Sequence, residues 1–75
     1  MSINGMSVQD KIRVFEAGAS FDVSAQGTSV LDLARLAAAA KKGGGQLTVV
    51  DGQGLSVSDL IKISSAAPGK VFFTN

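Results

Sequence analysis

Three short stretches of the chain alternate apolar and polar side chains, and each follows a longer stretch with apolar residues at helical spacing. The alternating stretches are 20–24, 46–50 and 70–75. In them Phe21 and Val23, Leu47 and Val49, and Val71 and Phe73 recur at period two. That period is the signature of a half-buried strand. The helical stretches carry Val8, Ile12 and Phe15 with Val14 beside them, then Val30, Leu33, Ala34, Leu36 and Ala37, then Val57, Leu60, Ile61 and Ile63. Ser64 stands at the place of Phe15 in the third of these. The expected order is therefore helix then strand, three times over. Strands joined through helices run parallel, and such crossovers are right-handed.

The helices begin on a repeated motif, Gly-x-Ser-Val-x-Asp-x-x-(Arg/Lys). It reads Gly5, Ser7, Val8, Asp10 and Arg13, then Gly27, Ser29, Val30, Asp32 and Arg35, then Gly54, Ser56, Val57, Asp59 and Lys62. The serines are 29 − 7 = 22 and 56 − 29 = 27 residues apart. Each serine is placed to cap its helix, with its oxygen on a free first-turn amide. The aspartate three residues later suits a shortened capping box and the positive end of the helix dipole. The Arg or Lys one turn on is expected to pair with it on the helix surface. The glycine suits a turn with positive φ. Helices should stop at Gly18, at Gly43–Gly44–Gly45 and at Pro68–Gly69, with the second about one turn longer than the others. The three consecutive glycines are expected to stop that helix and to supply slack before the second strand.

Strands of a sheet covered on both faces would be continuously apolar. Here Asp22 and Thr48 occupy the second face, with Ser24 and Thr74 nearby. The expected fold is thus α/β: a two-layer, three-stranded parallel sheet of order 1-2-3 with three helices on one face. Order 2-1-3 with helices on both faces is the competing arrangement. The chain 1–75 reads as one domain built of units 4–24, 26–50 and 53–75. The unit length lies in the range of leucine-rich repeats, and the architecture is similar to that class in design. The Leu-x-x-Leu-x-Leu-x-x-Asn pattern of the class is absent, so the likeness is not one of family. Lys11 fills the column held by Leu33 and Leu60, as a solvent-facing terminal repeat requires. The alanines of the second helix suit a place between two neighbours, while the bulkier Ile12, Phe15 and Ile61 fall on the outer helices.

Composition narrows the chemistry more than it names it. The chain has 75 residues, a net charge of +1, no cysteine and no histidine. A domain so short buries a small share of its surface and has a thin core. Disulfides and thiolate metal sites are ruled out, as is the commonest general base. The near-neutral charge gives no reason to expect nucleic acid or an acidic membrane surface. The longest apolar run, 36–40, is far short of a membrane span. Residues 1–12 lack a basic stretch followed by an apolar run, so no secretion signal is expected. A cytoplasmic location is the default.

Each candidate site has a competing structural explanation. Val49–Val50–Asp51–Gly52–Gln53–Gly54 leads from a strand into a helix, as phosphate-binding turns do. The third glycine of a dinucleotide fingerprint would fall on Val57, and no phosphate-loop lysine follows, so a turn before a capped helix is the better account. Arg13, Arg35 and Lys62 would align across neighbouring helices, but each follows an aspartate, and no aromatic side chains are interleaved for base stacking. Asn4, Gln26 and Gln53 recur at one place in the loops, either as a hydrogen-bonded ladder or as a polar rim for a ligand. No second carboxylate is paired with Asp22 or Asp51 for acid–base work, and the serines lack a histidine partner.

Phe72 is the least easily explained residue. If Val71 and Phe73 face the helices, Phe72 points to the open sheet face together with Val50, Thr48 and Asp22, unless the N-terminal residues 1–3 cover it. The expected function is a non-enzymatic structural or protein-interaction module that self-associates through a sheet edge or this open face. Its expected partner is another copy or another protein, with no cofactor, metal, nucleic acid or membrane. The alternative is a peptide or small-ligand module that uses Gln26, Asp51, Gly52 and Gln53 at the C-terminal ends of the strands.

Overall fold

A computed structural model describes residues 6–74. Helix α1 spans Val8–Glu16, β1 Phe21–Ser24, α2 Val30–Gly43, β2 Leu47–Val50, α3 Val57–Ala66 and β3 Val71–Phe73. A single 3-10 turn, Gly52–Gly54, separates β2 from α3. The strands form one parallel sheet in the order β1-β2-β3. The alternating α/β design is therefore present, and the 2-1-3 order is not. Asn4, Gly5 and residues 1–3, which entered the sequence reading, lie outside the described residues.

All three helices start as the motif requires. Ser7, Ser29 and Ser56 each accept from the backbone amide three residues on, at 3.1 Å. The aspartates then diverge. Asp59 bonds back to the Ser56 amide and completes a reciprocal capping box. Asp32 instead meets Arg35 at 3.4 Å. Among the described residues, neither Asp10 with Arg13 nor Asp59 with Lys62 forms the expected ion pair. Asp59 explains its own case: its carboxylate is already engaged at the cap. Gly27 has the positive φ expected of it, but Gly54 does not; in that loop the left-handed residue is Asp51, at φ 57°.

The sheet buries one face. Val23, Leu47 and Val49 are buried, and Phe21, Val71 and Phe73 pack beside them against Phe15, Leu33, Leu36, Ala37, Ala40 and Ile63. Phe15 stacks on Phe21 with ring centroids 4.0 Å apart. Helix α2 lies between α1 and α3 and carries most of the buried helical residues.

The glycine run that ends α2 does more than supply slack. A Cβ on Gly43 would collide with the carbonyl oxygen of Phe15. Gly44 caps the helix in the left-handed conformation at φ 82°. Gly45 is buried where a Cβ would meet the Ala19 carbonyl. Two of the three glycines thus allow close backbone approach, which fixes the segment in place.

Lys11 corrects the expectation that it faces solvent, being only 8% exposed. It lines a groove with Ser24, Gln26, Gly27 and Thr28, where the β1–α2 loop passes. Its column holds the fully buried Leu33 in the second repeat, and the long aliphatic stem lets a lysine cover the end of the core with its ammonium directed toward water. Lys11→Met is expected to hold or raise the urea midpoint, because the stem is what packs. Lys11→Asp should lower stability by about 1–3 kcal/mol, since a short buried carboxylate lacks that reach. Equal midpoints for the two variants would contradict this packing role.

Candidate functional site

The open face is set by strand register. Asp22 pairs with Thr48 and Thr48 with Phe72, forming one row across the sheet. Ser24 and Val50 pair in the next row. Period two turns these side chains away from the helices. Phe72 is 48% exposed at the edge strand, Asp22 is exposed, and Thr48 and Val50 are half-buried. The four residues expected to share this face are thus brought together. They give it an apolar side at β3 and an acidic side at β1.

The second candidate lies at the C-terminal ends of the strands. Ala25, Gln26, Asp51, Gln53, Gly54 and Leu55 line a cleft of about 280 Å³. That is slightly below the usual size of a small-molecule pocket. The Ser24 hydroxyl donates to the Asp51 carboxylate at 2.9 Å and accepts from the Gln26 amide at 3.1 Å. The Gly52 amide donates to the Thr74 carbonyl at 3.2 Å. These bonds tie the β1–α2 loop to the β2–α3 loop and that loop to Thr74 after β3. Gln26 and Gln53 remain exposed at the rim. Among the described residues their side chains make no hydrogen bond, so the expected amide ladder is not formed there. The part played by Ser24 was not legible in the sequence, because it depends on the register that brings β1 beside β2.

A third surface was missed altogether. Val57 and Ile61 were expected in the apolar face of the third helix, but they are 72% and 60% exposed. Of that helix only Ile63 is fully buried. The physical reason is position in the array. Val57 and Ile61 occupy the columns of Val8 and Ile12 in α1 and of Val30 and Ala34 in α2. Ile12 lies in the groove between α1 and α2, beside Gln9, Arg13 and Arg35. Among the described residues, no helix follows α3 to meet the same side. Leu31, 68% exposed on α2, is a single apolar side chain of an ordinary kind.

The catalytic inventory is thin among the described residues. No three Asp or Glu side chains gather as a metal ion would need. Among the described residues, no helix is long and apolar enough to cross a membrane. Fold and surfaces together describe a short α/β repeat array with one open sheet face. Comparison with known proteins adds no relative: no family model matches the chain, and neither a curated protein nor a solved structure matches it.

Proposed function

We propose that the chain is a small non-catalytic interaction module that associates with further copies of itself through the sheet, working in the cytoplasm. The observation that carries this reading is Phe72, an aromatic side chain 48% exposed on an edge strand. An exposed apolar group beside unpaired strand amides and carbonyls is a template for another chain. The small size of the domain adds to it, since association buries surface that one copy leaves wet. The acids offer little for catalysis: Asp59 serves a cap, Asp32 pairs with Arg35, and Asp51 holds Ser24. The net charge of +1 gives no pull toward nucleic acid or anionic lipid.

The test is solution mass, measured by sedimentation from micromolar to millimolar concentration. The wild type is expected to exceed its single-chain mass of 7.6 kDa as concentration rises. Phe72→Asp is expected to remain at that mass. A wild type that stays at one chain throughout overturns the reading, and so does a Phe72→Asp chain that associates like the wild type.

A second reading rests on the braced cleft. Gln26, Asp51 and Gln53 offer donors and acceptors on one rim, which suits a peptide backbone or a small polar ligand. Chemical-shift changes confined to these loops on adding a peptide pool would favour it over self-association.

A further inference from the structure

Each end of the repeat array exposes one half of the helix–helix contact that the interior buries. On the α3 end the exposed half is Val57 and Ile61, whose counterparts Val8, Ile12 and Val30 pack against the core. The other half of the contact is the side that each helix turns toward its predecessor. In α2 that side includes Ala39, 4% exposed, with Gly43 one turn later against the backbone of α1. Leu36 and Asp32 flank the same row. In α3 the matching residues are Asp59, Ile63 and Ala66, of which Ile63 is fully buried and Ala66 packs on the core. In α1 they are Asp10, Val14 and Ala17. No described helix precedes α1, and there Asp10 and Ala17 are exposed and Val14 is half-exposed.

Building on the self-association reading, we propose that copies stack head to tail, with the Val57–Ile61 side of α3 on the Asp10–Val14–Ala17 side of α1 in the next copy, and β3 beside its β1. The occupant of the α3 end is argued from continuity. The α1/α2 and α2/α3 contacts already use these columns, and the chain's own α1 presents the required partner side: aspartate, an aliphatic residue, alanine. The strands agree with this. The internal register pairs Phe21 with Leu47 and Leu47 with Val71. Continued across copies, it sets Val71 beside Phe21 and Phe72 beside Asp22. Charge agrees as well. At the α1 end the exposed acids left to meet the next copy are Asp10 and Asp22, because Glu16 is already paired with Lys42 of α2 at 3.4 Å. Residues 53–74 hold Lys62 and Lys70 against Asp59, a net +1.

A contact between unlike ends does not close on itself and gives an open row of copies. The molecule measures only 29 × 24 × 18 Å. Its end faces are small beside a standard interface, so each contact is weak and the row grows with concentration.

Complementation of two blocked chains tests the arrangement. Ile61→Arg blocks the α3 end and Ala17→Arg the α1 end; both sites are exposed, and circular dichroism checks that both variants fold. By sedimentation, the wild type should grow past two chains. Each variant alone should stay at one chain, and their mixture should stop at a one-to-one pair. If Ala17→Arg alone forms dimers, the α3 ends pair symmetrically and the head-to-tail order is overturned while self-association stands. If both variants associate like the wild type, the ends are not the contact, and the open face remains the route. A wild type that never associates overturns both proposals.

Discussion

Replacing Phe15 with alanine is expected to cost about 3–5 kcal/mol, the range for deleting a buried aromatic ring. Phe15 is fully buried and stacks on Phe21, tying α1 to the start of β1. The ring also stands where α3 carries only Ser64, so this unit supplies bulk that the third does not. Small domains lie near the low end of the roughly 5–15 kcal/mol typical of folded proteins. Phe15→Ala should therefore leave the chain largely unfolded at room temperature, read as the loss of a cooperative urea transition. Phe15→Leu keeps most of the volume and should cost about 1–1.5 kcal/mol. Phe72→Ala, on the open face, should change stability by no more than about 0.5 kcal/mol. Similar midpoints for Phe15→Ala and Phe72→Ala would show that Phe15 is not part of the core.

Gly43→Ala sets two effects of opposite sign against each other. Helix propensity favours alanine over glycine by about 1 kcal/mol. The collision with the Phe15 carbonyl works against it, and the atoms met are backbone, which cannot rotate away. The backbone of Glu16 also lies 3.0 Å from the added Cβ. Relief requires α1 and α2 to separate, which opens the packing around Phe15 and Ala39. A net loss of about 2–3 kcal/mol is expected, as for other overpacked sites. Gly44→Ala meets nothing within 4 Å but must hold φ 82°, which costs about 1 kcal/mol. Gly54→Ala meets nothing within 4 Å and has no positive φ, so it should be neutral or slightly stabilising. The three midpoints should rank Gly54, Gly44, Gly43 from highest to lowest. A Gly43→Ala chain as stable as the wild type would mean that the helices do not approach as closely as described.

What the sequence disclosed depended on how far apart the interacting groups lie. The serine caps need only an amide three residues away, so all three were legible. The strand faces were legible because period two leaves few alternatives, and with them the grouping of Phe72, Val50, Thr48 and Asp22. The cleft residues Gln26, Asp51 and Gln53 followed from the turns that hold them. Lys11 departs from its expected exposure because polarity alone does not decide burial: its long aliphatic stem can pack where Leu33 packs in the second repeat. The expected Asp59 ion pair gives way because a carboxylate at a helix start has more than one suitor, and the Ser56 amide takes it; the missing Asp10 pair has no such explanation. Val57 and Ile61 were assigned to the core because an apolar helical pattern does not reveal whether a neighbour stands beside it. Gly43 was read as slack because close backbone approach is a property of two helices, and only one of them is written around it.

The braces between loops carry a kinetic consequence. Ser20 and the Gln46 amide lie 26 residues apart, and Ser24 and Asp51 lie 27 apart. The ladder likewise pairs Phe21 with Leu47 and Thr48 with Phe72, with no hairpin to bring partners together early. A single helix–strand unit therefore has no sheet bond to gain from folding alone. The first such bond closes a loop holding all of α2 or all of α3, and that entropy is spent before any ladder is formed. During synthesis β1 waits, unpaired and with Val23 uncovered, until β2 has emerged behind it. Every ladder contact therefore waits on the closure of a loop that holds a whole helix, α2 for β1 with β2 and α3 for β2 with β3.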